Sequence, residues 1–168
     1  MFRITSFIIN LIPTKTVYAH CDIPCKIYDP YLAQVAAHSV IRMTQMLEEL
    51  SPSTKEPPFD ERKRIISQIS RLTKVKEEHA ELVKHEVRII WGDYFKEEQI
   101  KKFPKIHDLV HEIMILASKA RQEINMGAAK ELLSKVQEFA EAFYKTKGFE
   151  VVRIPSGFPT EGEIVSHK

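Results

Sequence analysis

The stretch from Asp29 to Leu50, DPYLAQVAAHSVIRMTQMLEEL, decides the fold. It opens on an aspartate followed by a proline, a carboxylate cap with a proline at the first helical position. Behind it, Leu32, Val35, Ala36, Ser39, Val40, Met43, Met46, Leu47 and Leu50 recur at alternating three- and four-residue steps. That spacing lays one apolar stripe along a helix of about five to six turns.

Working outward, the same periodicity recurs three times. Ser51 to Phe59 carries three prolines and reads as a loop. Asp60 then caps a second helix with the stripe Ile65, Ile69, Leu72, Lys76, His79, Val83, Val87 and Ile90, long enough to accommodate a kink or break near Thr73 to Glu78. Trp91 to Lys96 ends it. Phe103-Pro104 opens a third helix with Ile106, Leu109, Val110, Ile113, Met114, Ala117 and Ala120 on one face. After Asn125 and Gly127, Ala129, Leu132, Leu133, Val136, Phe139, Ala140 and Phe143 mark a fourth, which Gly148 closes. Four one-striped helices joined by short loops imply an all-α, antiparallel four-helix bundle. The tail 149–168 reads as an appended arm, with a β-prone run Val151 to Ile154, ordered only if something docks it.

The 168 residues fit one domain with a real core, and 43% hydrophobic with 29% charged residues is the balance of an ordinary globule. No apolar run reaches the ~20 residues of a membrane-spanning helix, so integral membrane association is not expected. Residues 1–19, MFRITSFIINLIPTKTVYA, hold two basic residues and no acid, so the chain from His20 onward is formally neutral, with 23 of each sign. No electrostatic footprint for nucleic acid is present. This first segment reads as a removable leader: a basic residue near the front, a short apolar patch from Phe7 to Ile12, and Val17-Tyr18-Ala19 as a cleavage context. A secretory signal, a leader clipped by a dedicated peptidase and a retained arm are the alternatives.

Between leader and bundle lies HCDIPCKIYD, beginning at His20 and holding both cysteines, Cys21 and Cys25. A Cys-x-x-x-Cys spacing by itself is compatible with a local disulfide or with two inert thiols. The neighbourhood adds more. Cleavage between Ala19 and His20 would place an α-amine, an imidazole, the Cys21 amide nitrogen and two thiolates within six residues. Two sulfurs and two nitrogens in a plane with a fifth ligand above suit Cu(II) or Ni(II), whereas zinc prefers a tetrahedron drawn from two separated pairs.

HCDIPCKIYDP closely resembles the nickel-binding hook of the nickel superoxide dismutases, which follows a removed leader. Lys76-Glu77-Glu78-His79-Ala80-Glu81-Leu82, Lys84-His85, Trp91-Gly92-Asp93-Tyr94-Phe95-Lys96, Phe103-Pro104 and Leu109-Val110 extend the resemblance across residues 20 to 145. The resemblance implies a helical-bundle subunit over 20–148, a homohexamer, a nickel ion as cofactor, and conversion of superoxide and protons to dioxygen and hydrogen peroxide by Ni(II)/Ni(III) cycling. Its implied metal ligands are His20 (α-amine and axial imidazole), Cys21 (amide nitrogen and thiolate) and Cys25. Tyr28 and Tyr94 would stand at the mouth of the site, Lys96 would attract the anionic substrate, and Asp22 and Pro24, the latter after a cis bond, would shape the hook. A leader peptidase is an implied partner. The expected location is cytoplasmic, or exported if residues 1–19 act as a secretory signal.

Three departures stand out. Lys26 occupies the family's glycine after the second cysteine, so a backbone needing positive φ would be strained there. The acid and base that often hold the family's axial imidazole are replaced by Ala36 and His79, a paired loss that leaves no lone buried charge. His79, on the apolar stripe, is expected to face the interior, either as a positioning partner of His20 or as a core histidine bonded to a backbone carbonyl; His38 is a further candidate. The alternative function is a non-enzymatic bundle that binds nickel or copper, or that is stapled by a Cys21–Cys25 disulfide.

Overall fold

The computed structural model describes residues 26–168; the leader and the His20, Cys21, Asp22, Pro24 and Cys25 positions, with the expected cis bond, lie outside the described residues. Five helices and one β-hairpin follow in chain order: α1 Tyr31–Glu49, α2 Phe59–Asp93, α3 Glu97–Lys102, α4 Ile106–Gln122, α5 Met126–Thr146, β1 Val151–Pro155 and β2 Glu163–His167. The expected bundle is formed by α1, α2, α4 and α5, with α1 and α4 each packing principally on α2 and α5. None of the described helices is long and apolar enough to cross a membrane.

Local chemistry sets the helix ends. The Asp29 carboxylate accepts from the Tyr31 amide at 2.8 Å, so it caps α1 from one position further out than the sequence suggests. Asn125 accepts from the Ala128 amide at 2.9 Å and caps α5. At the far end of α5, Gly148 adopts φ +82° and the Phe149 amide returns to the Tyr144 carbonyl at 3.1 Å, a left-handed glycine closure.

The stripes on α4 and α5 are buried as their spacing predicts: Ile106, Ile113, Ala117, Leu132, Val136, Phe139 and Phe143 are all sealed from solvent. On α1 the buried face is rotated. Leu32 is exposed, while Ala33, Gln34, Ala37, His38 and Ile41 are buried beside Ala36 and Val40. The reason is the C-terminal tail, which is no loose arm. Its strands pair antiparallel from Val151 with His167 to Pro155 with Glu163, and β2 packs on α5 and α1, burying Ile164 and Val165. A second face of α1 is thereby covered.

Helix α2 runs without a break through the Thr73–Glu78 region. At 35 residues it spans ~52 Å, against ~28 Å for the 19 of α1. Its buried residues begin only at Lys76, so its first four turns are largely exposed. Lys76 itself is buried, and its ammonium donates to the carbonyls of Ala120, Arg121 and Glu123 at 2.6, 3.0 and 2.5 Å, closing the C-terminal end of α4. A cation among the unpaired carbonyls of a helix end is favoured by both hydrogen bonding and the helix dipole. The short α3 was not expected; Lys96 precedes it, with its amide donating to the Gln99 side chain at 3.2 Å.

Candidate metal-hook environment

The chain leaves the hook at Lys26 and reaches α1 through Ile27, Tyr28 and Asp29. Lys26 sits at φ +59°, in the left-handed region that the family's glycine would occupy freely. Two residues on, the half-buried Tyr28 ring meets Tyr94 with centroids 6.5 Å apart. Tyr94 caps the C-terminal end of α2, its amide donating to the Ile90 carbonyl at 2.9 Å. Tyr28, just before α1, and Tyr94, at the end of α2, are thus brought together in the fold.

The Tyr94 hydroxyl lies 3.0 Å from that of Thr146, which itself donates to the Phe143 carbonyl at 2.8 Å. Threonine has one hydroxyl proton. Since it is used on Phe143, Tyr94 is the donor to Thr146, and the lone pairs of the Tyr94 oxygen are left as acceptors. Phe95 and Phe143 pack against the Tyr94 ring at 5.1 and 4.7 Å. That environment fixes the ring.

Lys96 is exposed and its ammonium donates to the Gly92 carbonyl at 2.6 Å. A second cation stands beside Tyr94: the Lys147 ammonium lies 5.8 Å from the Tyr94 ring centre and 4.6 Å from that of Phe143. The only signal for it in the sequence is a lysine just before Gly148, which is indistinguishable from a solvated helix end.

Beside Tyr28 opens a cavity of about 490 Å³, whose wall includes Ile27, Asp29, Glu86, Tyr144 and His167. The buried Tyr144 hydroxyl donates to the Asp29 carboxylate, 3.1 Å from each oxygen. Burial first, then the Asp29 charge and the hydrogen bond, push the phenol pKa far above its usual value, so this hydroxyl stays protonated.

His79 is placed elsewhere. It is half-buried, one ring nitrogen (Nδ1) lies 2.8 Å from the Val75 carbonyl, and it lines a separate cavity of about 240 Å³ with His38, Arg42 and Phe158. It stands about two turns before Glu86, the first α2 residue on the Tyr28 cavity. His38 faces the hairpin, with Nδ1 2.8 Å from the Thr160 hydroxyl and Nε2 3.3 Å from the Glu163 carbonyl. Ala36 is sealed in the core. Among the described residues no group of three or more His, Cys, Asp or Glu side chains could hold a metal ion. The donors suited to nickel are those of the run before Lys26: two thiols, an imidazole and a potential chain-end amine, a set matched to a tetragonal d-block ion.

Comparison with known proteins agrees with this geometry. Residues 15–147 match the model of the family described as nickel-containing superoxide dismutase. The chain is 33% identical over 135 residues to the superoxide dismutase [Ni] of Streptomyces coelicolor, covering 80% of this chain and 93% of that one. The Streptomyces seoulensis protein of the same name matches at the same identity and coverage. A native nickel superoxide dismutase crystal structure superposes with a TM-score of 0.63 at 30% identity, covering 76% of this chain and 99% of that chain. A further structure of the enzyme, in the oxidised state, gives a TM-score of 0.64 at 29% identity, over 77% of this chain and 99% of the other. The tail 149–168 lies beyond the family match, and the rest of the bundle lies within it: the chain belongs to the nickel-containing superoxide dismutase family.

Proposed function

We propose that this chain dismutes superoxide, converting two superoxide ions and two protons to dioxygen and hydrogen peroxide, with nickel held by His20, Cys21 and Cys25. Family membership supports the activity and the cofactor. The observation that carries the assignment of the site is the Tyr28–Tyr94 pair, set directly downstream of the HCDIPC donor run. When bound, nickel supplies one-electron cycling between its divalent and trivalent states, which thiolates and a deprotonated amide make reachable by donating charge.

The chain's own residues have separate tasks. His20 would offer its α-amine and imidazole, Cys21 its amide nitrogen and thiolate, and Cys25 its thiolate. Asp22 and Pro24 would shape the turn between them. The Tyr28 and Tyr94 hydroxyls would order water and product at the mouth, with Tyr94 already committed as a donor to Thr146 and therefore free to accept. Lys96 and Lys147 would give the mouth a positive potential that draws in a small anion. His79 is left out of this machinery, because its ring is bonded to the Val75 carbonyl and lines a different cavity.

The finer reading adds a leader peptidase that cuts after Ala19, a homohexameric assembly and a cytoplasmic location. Intact-mass and metal analysis of the purified native protein test the core of it. Loss of residues 1–19, one nickel per chain and superoxide consumption that disappears on chelation are expected. Full activity in an uncut, metal-free chain would overturn the proposal, and a nickel-loaded protein inert toward superoxide would identify a metal-sequestering bundle instead.

A further inference from the structure

The C-terminal hairpin lies outside the residues matched to the family, yet it is bolted to the bundle and ends beside the hook's exit. Both polar atoms of the Gln34 amide are engaged with Val165, Arg153 reaches Glu141 at 2.6 Å, and His38 meets Thr160. These bonds fix the register of β2, and the register fixes where its last residue falls. That residue, His167, lies in the wall of the cavity that also exposes Tyr28 and Asp29.

The His167 ring is held between two aromatics. It stacks on Phe149 with centroids 4.4 Å apart and planes inclined by 17°, and tilts against Tyr144 at 4.8 Å. Tyr144 donates to Asp29, and the Asp29 carboxylate caps the Tyr31 amide. The Lys147 ammonium lies 5.9 Å from the Phe149 ring centre and also stands over Tyr94. A chain of contacts therefore runs from the hairpin to both tyrosines at the mouth.

We propose that His167 is a positioning residue for the active site, acting through Tyr144 and Asp29 on the Ile27–Tyr31 segment from which the hook departs. The physical reason is geometric. Tyr144 can keep its hydroxyl between both oxygens of Asp29 only while its ring plane is held, and the imidazole wedged against Phe149 removes the free volume into which that ring would turn. With Asp29 held, the backbone of Tyr28 has little freedom, and Tyr28 carries the hook. The ring, not the proton on it, does the holding, so phenylalanine should substitute for it. Because the side chain is exposed, its truncation leaves the buried hairpin residues Ile164 and Val165 in place.

The significance of this linkage for catalysis rests on the nickel-site reading above, so its test is made first without the metal. Hydrogen exchange of the Ile27–Tyr31 amides is measured in the metal-free protein for the wild type, H167A, H167F, Y144F and the H167A/Y144F double variant. Exchange at Tyr31 is expected to quicken about tenfold or more in H167A and in Y144F, to remain near wild type in H167F, and to quicken no further in the double variant, since the two act through one bond. In the nickel-loaded protein the same H167A change should broaden or shift the Ni(III) electron-paramagnetic signal. Unchanged exchange in H167A, or additive effects in the double variant, would overturn the linkage. Altered exchange in a protein that never takes up nickel would leave the linkage standing and remove the nickel reading alone.

Discussion

The side-chain amide of Gln34 acts as a short third strand against Val165: its nitrogen donates to the Val165 carbonyl at 2.9 Å, and its oxygen accepts from the Val165 amide at 2.8 Å, both in a buried setting. Replacing Gln34 with leucine would leave a buried amide and a buried carbonyl on β2 without partners. At ~1–3 kcal/mol for each orphaned group, Q34L should lose about 2–6 kcal/mol if the hairpin stays docked, or release the hairpin. Urea unfolding followed by circular dichroism, with proteolysis at the 147–150 junction as a second probe, distinguishes the two; unchanged stability and unchanged cleavage would contradict the pairing.

Lys76 should behave as a buried cap. K76M keeps most of the aliphatic stem but strands the carbonyls of Ala120, Arg121 and Glu123. A loss of about 3 kcal/mol is expected, with the α4–α5 turn as the region of fastest added hydrogen exchange. A variant as stable as the wild type would show that water can serve these carbonyls instead.

Hairpin docking should weaken in acid. Burial holds the His38 pKa below its usual 6.5, against a smaller opposing pull from the Glu163 carbonyl. Its folded value therefore lies below the unfolded one. At pH values around and below 6.5 the unfolded chain binds more protons, so this contribution is complete above the unfolded pKa and is lost as pH falls through the folded one. Stability measured from pH 8 down to pH 5 should fall more steeply in the wild type than in H38Q, while matching slopes would exclude His38 as the source. Arg42, which lines the same cavity, adds a fixed positive charge that works in the same direction.

Lys26 at φ +59° should carry a measurable strain. Glycine there removes a penalty of ~1–2 kcal/mol, and a β-branched residue increases it. Nickel affinity should rank K26G above wild type and wild type above K26V, with about 1 kcal/mol corresponding to roughly fivefold. Equal affinities across the series would mean that the hook does not require the left-handed backbone. Loss of the lysine's charge is a separate effect, visible as an ionic-strength dependence of kcat/KM that K26G would reduce.

Much of this was legible in the residues themselves. The α4 and α5 stripes were read correctly because each faces a single apolar core, where period alone decides burial. The HCDIPCKIYDP run announced its chemistry because soft donors at a potential chain end admit few metals. Tyr28 and Tyr94 were placed by resemblance, and only folding brought their rings to 6.5 Å. The short α3 and the continuity of α2 past Thr73 escaped the reading, since a polar stretch such as Lys74 to Glu78 looks the same whether a helix breaks there or continues with Lys76 buried against the end of α4.

What the sequence alone determined is the bundle, which depends on local period, while the nickel donors and the departures at Lys26, Ala36 and His79 were read from the family resemblance. What only the tertiary structure decided is where the tail goes. Gln34 and His38 sit off the expected apolar stripe; they are buried because β2 and the Thr160 loop, more than a hundred residues later, satisfy their polar atoms. A polar side chain can be buried only when a partner arrives, and no local pattern names a partner that distant. The same docking sets His167 beside Tyr144 and the base of the hook, a relationship written nowhere in the spacing of either residue.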